Sequence, residues 1–207
     1  MFNIFKKEER STGKAFILMG RSGSGKGTQT GLLVRYLCEK EKLCRTLHIE
    51  SGALVREFVR EDGYTQKRTK SVMESGLLIP EAMTVSLWAN YLTENFTGIE
   101  SMVFDGTPRK LREAQLLDET FKFYSIKKPT LIYVNVGEKW AEDRLCGRAR
   151  KDDTKEAVEK RMSWFESEVM PVINYYKENP DYNYVNINGE QTIEEVHKEI
   201  VKKIFND

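Results

Sequence analysis

The sequence predicts a three-layer, doubly wound α/β domain around a five-stranded parallel sheet. Two observations carry that prediction. Short apolar runs of strand length alternate with longer segments of helical periodicity, which implies parallel pairing and right-handed crossovers. The residues best suited to chemistry fall just after the strands, where ligands sit in such sheets. A chain of 207 residues suits one domain with small insertions and can bury a sizeable core.

In chain order, residues 1–13 are polar and charged and read as an extension ahead of a domain over 14–207. KAFILMG (14–20) is an apolar run closed by glycine and reads as a buried strand. From Lys26 to about Leu43, Leu32, Leu33, Tyr36 and Leu37 recur at helical spacing. TLHIE (46–50), SMVFD (101–105), TLIYVNV (130–136) and YNYVNIN (182–188) supply the other strands. Helical patterns over 53–60, 67–75, 80–95, 110–122, 138–147 and 155–177 separate them. The last helix, 192–205, opens with Thr192 and Glu195 at capping-box spacing and aligns Ile193, Val196, Ile200 and Ile204 on one face.

Composition excludes several classes of function. The 33 basic and 32 acidic residues leave a net charge of +1, so no global field draws nucleic acid or anionic lipid. The apolar runs stop short of the roughly 18–20 residues that span a bilayer. MFNIFKKEERSTGK (1–14) has no apolar core of a secretory signal. Cys38, Cys44 and Cys146 form neither a C-x-x-C pair nor an even disulfide set, which fits a reducing cytoplasm.

GRSGSGKGTQT (20–30) nearly spells the phosphate-cradling motif G-x-x-x-x-G-K-[ST], with Gly27 in place of the hydroxyl residue and Thr28 one position late. The backbone N–H groups of such a loop turn inward around a phosphate. Lys26 then reaches the β and γ oxygens, and the following helix offers its positive end. Without a hydroxyl at 27, Thr28 and Asp105 remain for Mg²⁺, held largely through water. Gly27 also thins the wall on the far side of the loop, where a second phosphate can approach.

Four further stretches follow: SGALVR (51–56), SGLLIPEAMTVSL (75–87), DGTPR (105–109), and DRLCGRARKDD (143–153) with EKRM (159–162). With the loop, and in this order, they resemble the adenylate kinase family of nucleoside monophosphate kinases from Lys14 to Asp207. The departures are Ser22 for proline in the loop, Ser51 for threonine, Ala53 for aspartate and Thr107 for phenylalanine. The resemblance implies a P-loop NTPase fold with a small helical insertion for the monophosphate at about 51–80 and a short lid at about 147–154. The implied activity is reversible phosphoryl transfer from MgATP to a nucleoside monophosphate, ATP + AMP = 2 ADP first and a UMP/CMP kinase second. A non-catalytic nucleotide-binding regulator is the alternative from another class.

By the same resemblance, ATP sits on Gly23, Ser24, Gly25, Lys26, Gly27 and Thr28, with Arg144 beside its base. Arg148, Arg150 and Arg161 clamp the transferred group, and Lys26 and Arg109 complete the catalytic set. The monophosphate meets Ser51, Gly52, Arg56, Ile79, Gly106 and Arg109, with Arg150 and Arg161. The family often reads adenine with a glutamine four residues past the arginine of D-G-F-P-R. Glu113 holds that place here, and Gln115 follows two residues later, within reach of a register shift. Asp105 orders the metal's water shell, and Asp152 and Asp153 close the lid, although Asp153 with Glu156 also reads as a helix cap. Cys146 stands alone in the lid region, so no zinc site is expected. The implied partners are ATP and AMP, with no nucleic acid and no membrane, and the implied state is a cytoplasmic monomer.

The physics favours the arginines independently. Two nucleotides bring several negative charges together, and guanidinium forks match phosphate geometry better than ammonium groups do. Arg144 and Arg148, four apart, share a face if their segment is helical. Arg35, Arg45, Arg60 and Arg68 read as surface residues. His48 and His197 need no catalytic role, and Trp88, Trp140 and Trp164 read as packing.

Overall fold

The computed structural model describes residues 13–40, 45–147 and 154–206. Five strands, β1 (Ala15–Met19), β2 (Thr46–Glu50), β3 (Ser101–Asp105), β4 (Thr130–Asn135) and β5 (Asn183–Asn188), form one sheet in the order β2-β3-β1-β4-β5. All four pairings are parallel. The helices are α1 (Lys26–Lys40), α2 (Ser51–Phe58), α3 (Tyr64–Glu74), α4 (Glu81–Asn95), α5 (Leu111–Phe123), α6 (Glu138–Cys146), α7 (Lys155–Trp164), α8 (Met170–Glu178) and α9 (Ile193–Phe205). The fold class is the one the alternation predicts.

The period of two along each strand sorts the core into layers. Ala15, Ile17 and Met19 of β1 pack with Trp88 and Leu92 of α4, Leu117 of α5 and Val172 and Ile173 of α8. Phe16 and Leu18 point the other way, onto Leu33 and Leu37 of α1 and Val196 and Ile200 of α9. A smaller cluster of Val136, Ala141, Leu145, Val158 and Met162 joins α6 to α7. Asp118 on α5 is buried yet satisfied, since the Tyr175 hydroxyl donates to its Oδ2 at 2.5 Å and the Tyr182 hydroxyl to its Oδ1.

Three expectations change. The single helix over 155–177 is two helices joined by a π-helical segment, Phe165–Val169. Pro171 in the first turn of α8 has no N–H for the Ser167 carbonyl, and its ring crowds that group, so the chain widens just before it. Thr154, rather than Asp153, caps α7, its hydroxyl accepting from the Ala157 N–H at 3.2 Å. Cys38 is disulfide-bonded, and Cys146 is free and exposed. Cysteine spacing alone does not give disulfide pairing, so the cysteines give no support to a reducing compartment. Residues 1–12, Cys44, Arg148, Arg150, Asp152 and Asp153 lie outside the described residues. Among the described residues no helix is long and apolar enough to cross a membrane.

Thr192 caps α9 as its spacing predicts. Its hydroxyl accepts from the Glu195 N–H at 3.3 Å, and Glu195 Oε2 accepts from the Thr192 N–H at 3.0 Å. Thr192→Ala should lower the free energy of unfolding by about 1 kcal/mol, read as a shifted urea midpoint at unchanged slope.

Candidate active site

β1 lies in the middle of the sheet, between β3 and β4, and ends where ligands of such sheets collect. Its glycine-rich loop follows. The Ser24 N–H closes the turn onto the Arg21 carbonyl at 3.1 Å, and the Lys26 ammonium donates to the same oxygen at 3.3 Å. Gly23 has φ of +90°, and a Cβ there would lie 2.3 Å from the Ala141 carbonyl oxygen of α6. Only glycine lets the loop lie this close to α6. A Cβ on Gly27 would lie 3.3 Å from Asp105 Oδ2, so the missing side chain leaves room for the β3 carboxylate beside the loop.

β2 and β3 end next to one another, with Glu50 opposite Asp105 in register. Ser51 starts α2 directly after β2, and its hydroxyl donates to the Gly106 carbonyl at 2.8 Å. Arg56, at the end of α2, pairs with Glu50 through Nη2 and Oε1 at 2.6 Å. Arg109 Nε donates to the Gly106 carbonyl at 2.6 Å, and its guanidinium faces the Trp164 ring at 5.5 Å. Glu113 holds this turn from α5. One oxygen accepts from the Thr107 hydroxyl and the other from the Arg109 N–H at 2.7 Å.

One cavity of about 580 Å³ takes in both halves. Gly23, Gly25, Lys26, Gly27 and Thr28 of the loop line it together with Ser51, Gly52, Arg56, Ile79, Asp105, Gly106 and Arg109. Arg144 and Arg161 also line it, Arg144 with its guanidinium 5.3 Å from the Trp140 ring. Two predicted residues fall elsewhere. Ser24 is buried and does not line the cavity, and Gln115 is exposed on α5. Glu113, two positions earlier, faces the cavity, because two residues turn a helix by about 200°. The structure adds Trp164, read from its spacing as packing: it lines the cavity and donates its indole N–H to the Gly76 carbonyl at 3.0 Å. Helical spacing gives an aromatic core residue and this one the same signature.

Burial governs the ionisable groups here. It pushes the Asp105 carboxyl up from its ordinary value, and the Lys26 charge opposes the shift. It pushes Glu113 up as well, against the hydrogen bond from Thr107. The Arg109 guanidinium is shifted down by burial, with Glu113 and Asp105 opposing. A divalent ion arriving on a nucleotide would meet the Asp105 carboxylate and the Thr28 hydroxyl on this wall. Among the described residues no three His, Cys, Asp or Glu side chains cluster to hold a metal.

Compared with known proteins, residues 18–181 match the family model for adenylate kinase. The chain belongs to the adenylate kinase family. Adenylate kinase 1 of Nostoc sp. is 29% identical over 184 residues, which cover 89% of this chain and 95% of that protein. The adenylate kinase of Oenococcus oeni is 29% identical over 93% of this chain and 98% of its own length. That of Dehalococcoides mccartyi is 30% identical over 91% and 96% respectively. The protein is an enzyme, a nucleotide phosphotransferase, and its family membership supports a nucleoside monophosphate as acceptor.

The Asp105 shift has a sign that can be measured. The folded state holds this proton more tightly than the unfolded chain, so its contribution to stability is complete below the ordinary value near 3.8 and is lost as pH rises through the raised one. Asp105→Asn should therefore make the nucleotide-free enzyme more stable than the parent at neutral pH. The gap should close toward pH 3.8, read from urea midpoints across that range.

Proposed function

We propose that the enzyme transfers the γ-phosphoryl group of MgATP to AMP, reversibly, giving two ADP, as a cytoplasmic monomer. The observation that carries this reading is the single cavity that joins the glycine loop and Lys26 to Arg56, Arg109 and Arg161, three guanidinium groups from three separate elements. Such a ring serves a reaction whose two substrates are both polyanions. The relatives named adenylate kinase and the hydroxyl of Ser51, in place of the family's threonine, support AMP as the acceptor.

In this reading the donor phosphates lie along Gly23 to Thr28, with Lys26 against the β and γ oxygens and Arg144 beside the donor base. Mg²⁺ travels with ATP as part of the substrate, its water shell ordered by Asp105 and Thr28. Arg56 and Arg109 hold the acceptor phosphate beside Gly106 and, within the insertion at about 51–80, Ser51, Gly52 and Ile79. Arg161, with Arg148 and Arg150 of the lid at about 147–154, draws charge from the group in flight, and Asp152 and Asp153 help close that lid.

An oxygen of the AMP phosphate attacks the γ phosphorus. A new P–O bond forms in line with the breaking bond to the β-phosphate oxygen, and ADP leaves with that electron pair. No general base is required, since a phosphate monoester with second pKa of about 6 is already mostly ionised at neutral pH. The protein's contribution is alignment, charge neutralisation and exclusion of water.

The test is ADP formation from MgATP with AMP, UMP, CMP and GMP in turn. AMP should react fastest. Faster reaction with UMP or CMP would overturn the acceptor assignment, and ATP binding without any turnover would favour the regulatory alternative. Lys26→Ala and Arg109→Ala should each lower kcat by about 10²–10³-fold while the thermal transition persists. Near-normal rates would remove them from the site.

A further inference from the structure

Where α7 passes into the π-helical segment, three consecutive residues take partners from different parts of the chain. Trp164 donates to the Gly76 carbonyl just past α3 and faces Arg109. Phe165 is buried, with the Arg21 guanidinium carbon 4.4 Å from its ring centroid. Glu166 pairs with Arg21 Nη2. Arg161, one turn earlier on α7, lines the cavity. Consecutive helical residues diverge by about 100° each, so this stretch can hold the phosphate loop on one side and the acceptor insertion on the other. The insertion approaches closely: Gly76 has φ of +75°, and a Cβ there would lie 2.6 Å from the Ala157 Cα.

Arg21 belongs to the phosphate loop, but its side chain turns toward the α7 junction. Its carbonyl receives the Lys26 ammonium and the Ser24 N–H. Its side chain is only 12% exposed, and Nε and Nη1 are buried without a hydrogen-bond partner among the described residues. Its positive charge is therefore answered by the Glu166 carboxylate and the face of Phe165. A continuous set of contacts runs from Lys26 through the Arg21 backbone and side chain to Glu166, and from Trp164 to Gly76 and Arg109. A π-helical turn at this junction fits a segment whose exact side-chain directions matter to function.

We propose that Arg21 is a positioning residue that, through Glu166 and Phe165, holds the phosphate loop in register with the α7 arm carrying Arg161 and Trp164. The inference rests on the phosphoryl-transfer reading of the same cavity. It differs from two simpler roles for Arg21: a contact to the donor phosphates would change ATP binding, and a purely stabilising pair would change unfolding alone.

The experiment compares Arg21→Met, Glu166→Gln, their double variant and the conservative Arg21→Lys. Kinetics are measured with MgATP and whichever monophosphate reacts. Each single loss should lower kcat about ten-fold, with KM for either nucleotide moving less than about two-fold. The double variant should be no slower than the slower single, because both remove one link. Arg21→Lys should recover part of the rate. A raised KM for ATP at unchanged kcat, multiplying losses in the double variant, or wild-type rates throughout would each overturn the proposal.

Glu166→Gln alters a half-exposed side chain and carries the same test alone if Arg21→Met does not fold. Hydrogen exchange supplies a readout that needs no turnover. ATP binding should protect residues 155–169 in the wild type and fail to do so in Glu166→Gln. Equal protection in both would sink the inference even if the enzyme phosphorylates no monophosphate, the result that would defeat the proposed function instead.

Discussion

Like charges gathered on the wall of one cavity repel one another, and the architecture of the site follows from holding them there. Several of these cations are held by partners within the site. Lys26 has the Arg21 carbonyl, Arg56 has Glu50, Arg109 has the Gly106 carbonyl, and Arg144 has the Trp140 ring. Glu50 is a charged partner, whereas neutral carbonyls and ring faces are modest acceptors beside a phosphate oxygen, and these contacts hold the cations on the cavity wall. Asp105 lies close enough to Lys26 for their charges to interact, and burial keeps its own ionisation costly.

The sheet order is what brings these groups together. β2, β3 and β1 are neighbours, with Glu50 opposite Asp105 and Asp105 opposite Leu18, so three strands end side by side. The phosphate loop, the start of α2 and the Gly106 turn therefore rise from one edge. The layers on either face keep this edge rigid: β1 is buried along its whole length and packs on both sides. Rigid strand ends are well suited to fixing charges, because the positioning is set during folding rather than at each turnover.

Much of this could be read in the residues because the signals are local. A strand closed by glycine, a loop rich in glycine and a helix opening at Lys26 announce themselves over a dozen positions. Thr192 and Glu195 form the expected box because their geometry depends only on their own helix. Most of what escaped depends on contacts distant in sequence. The break in 155–177 carries a local clue in Pro171, but helical periodicity alone does not show that the turn before it widens. Trp164 and Arg21 acquire their roles from Gly76 and Glu166, 88 and 145 residues away. Gln115 could not be brought inward by a shift of register, because Ala114, Leu117, Asp118 and Phe121 lock the phase of α5.

That locked phase also explains two departures from the family pattern on the acceptor side. Thr107 replaces phenylalanine and Glu113 replaces glutamine, and the structure joins them by a hydrogen bond. A carboxylate can accept from the Thr107 hydroxyl and the Arg109 N–H together, one at each oxygen. A glutamine would accept from the Arg109 N–H through its one oxygen and reverse the other bond, its amide donating to the Thr107 hydroxyl. A phenylalanine at 107 would leave the buried Glu113 oxygen without its hydroxyl partner, a loss on the order of 1–3 kcal/mol or more for a charged group. Together Thr107 and Glu113 hold the backbone of Arg109. Burial raises the pKa of Glu113, and the Thr107 and Arg109 hydrogen bonds oppose that shift. The hydroxyl at 107 thus helps keep the group at 113 an acceptor, and an acceptor there holds the turn that presents Arg109 to the cleft.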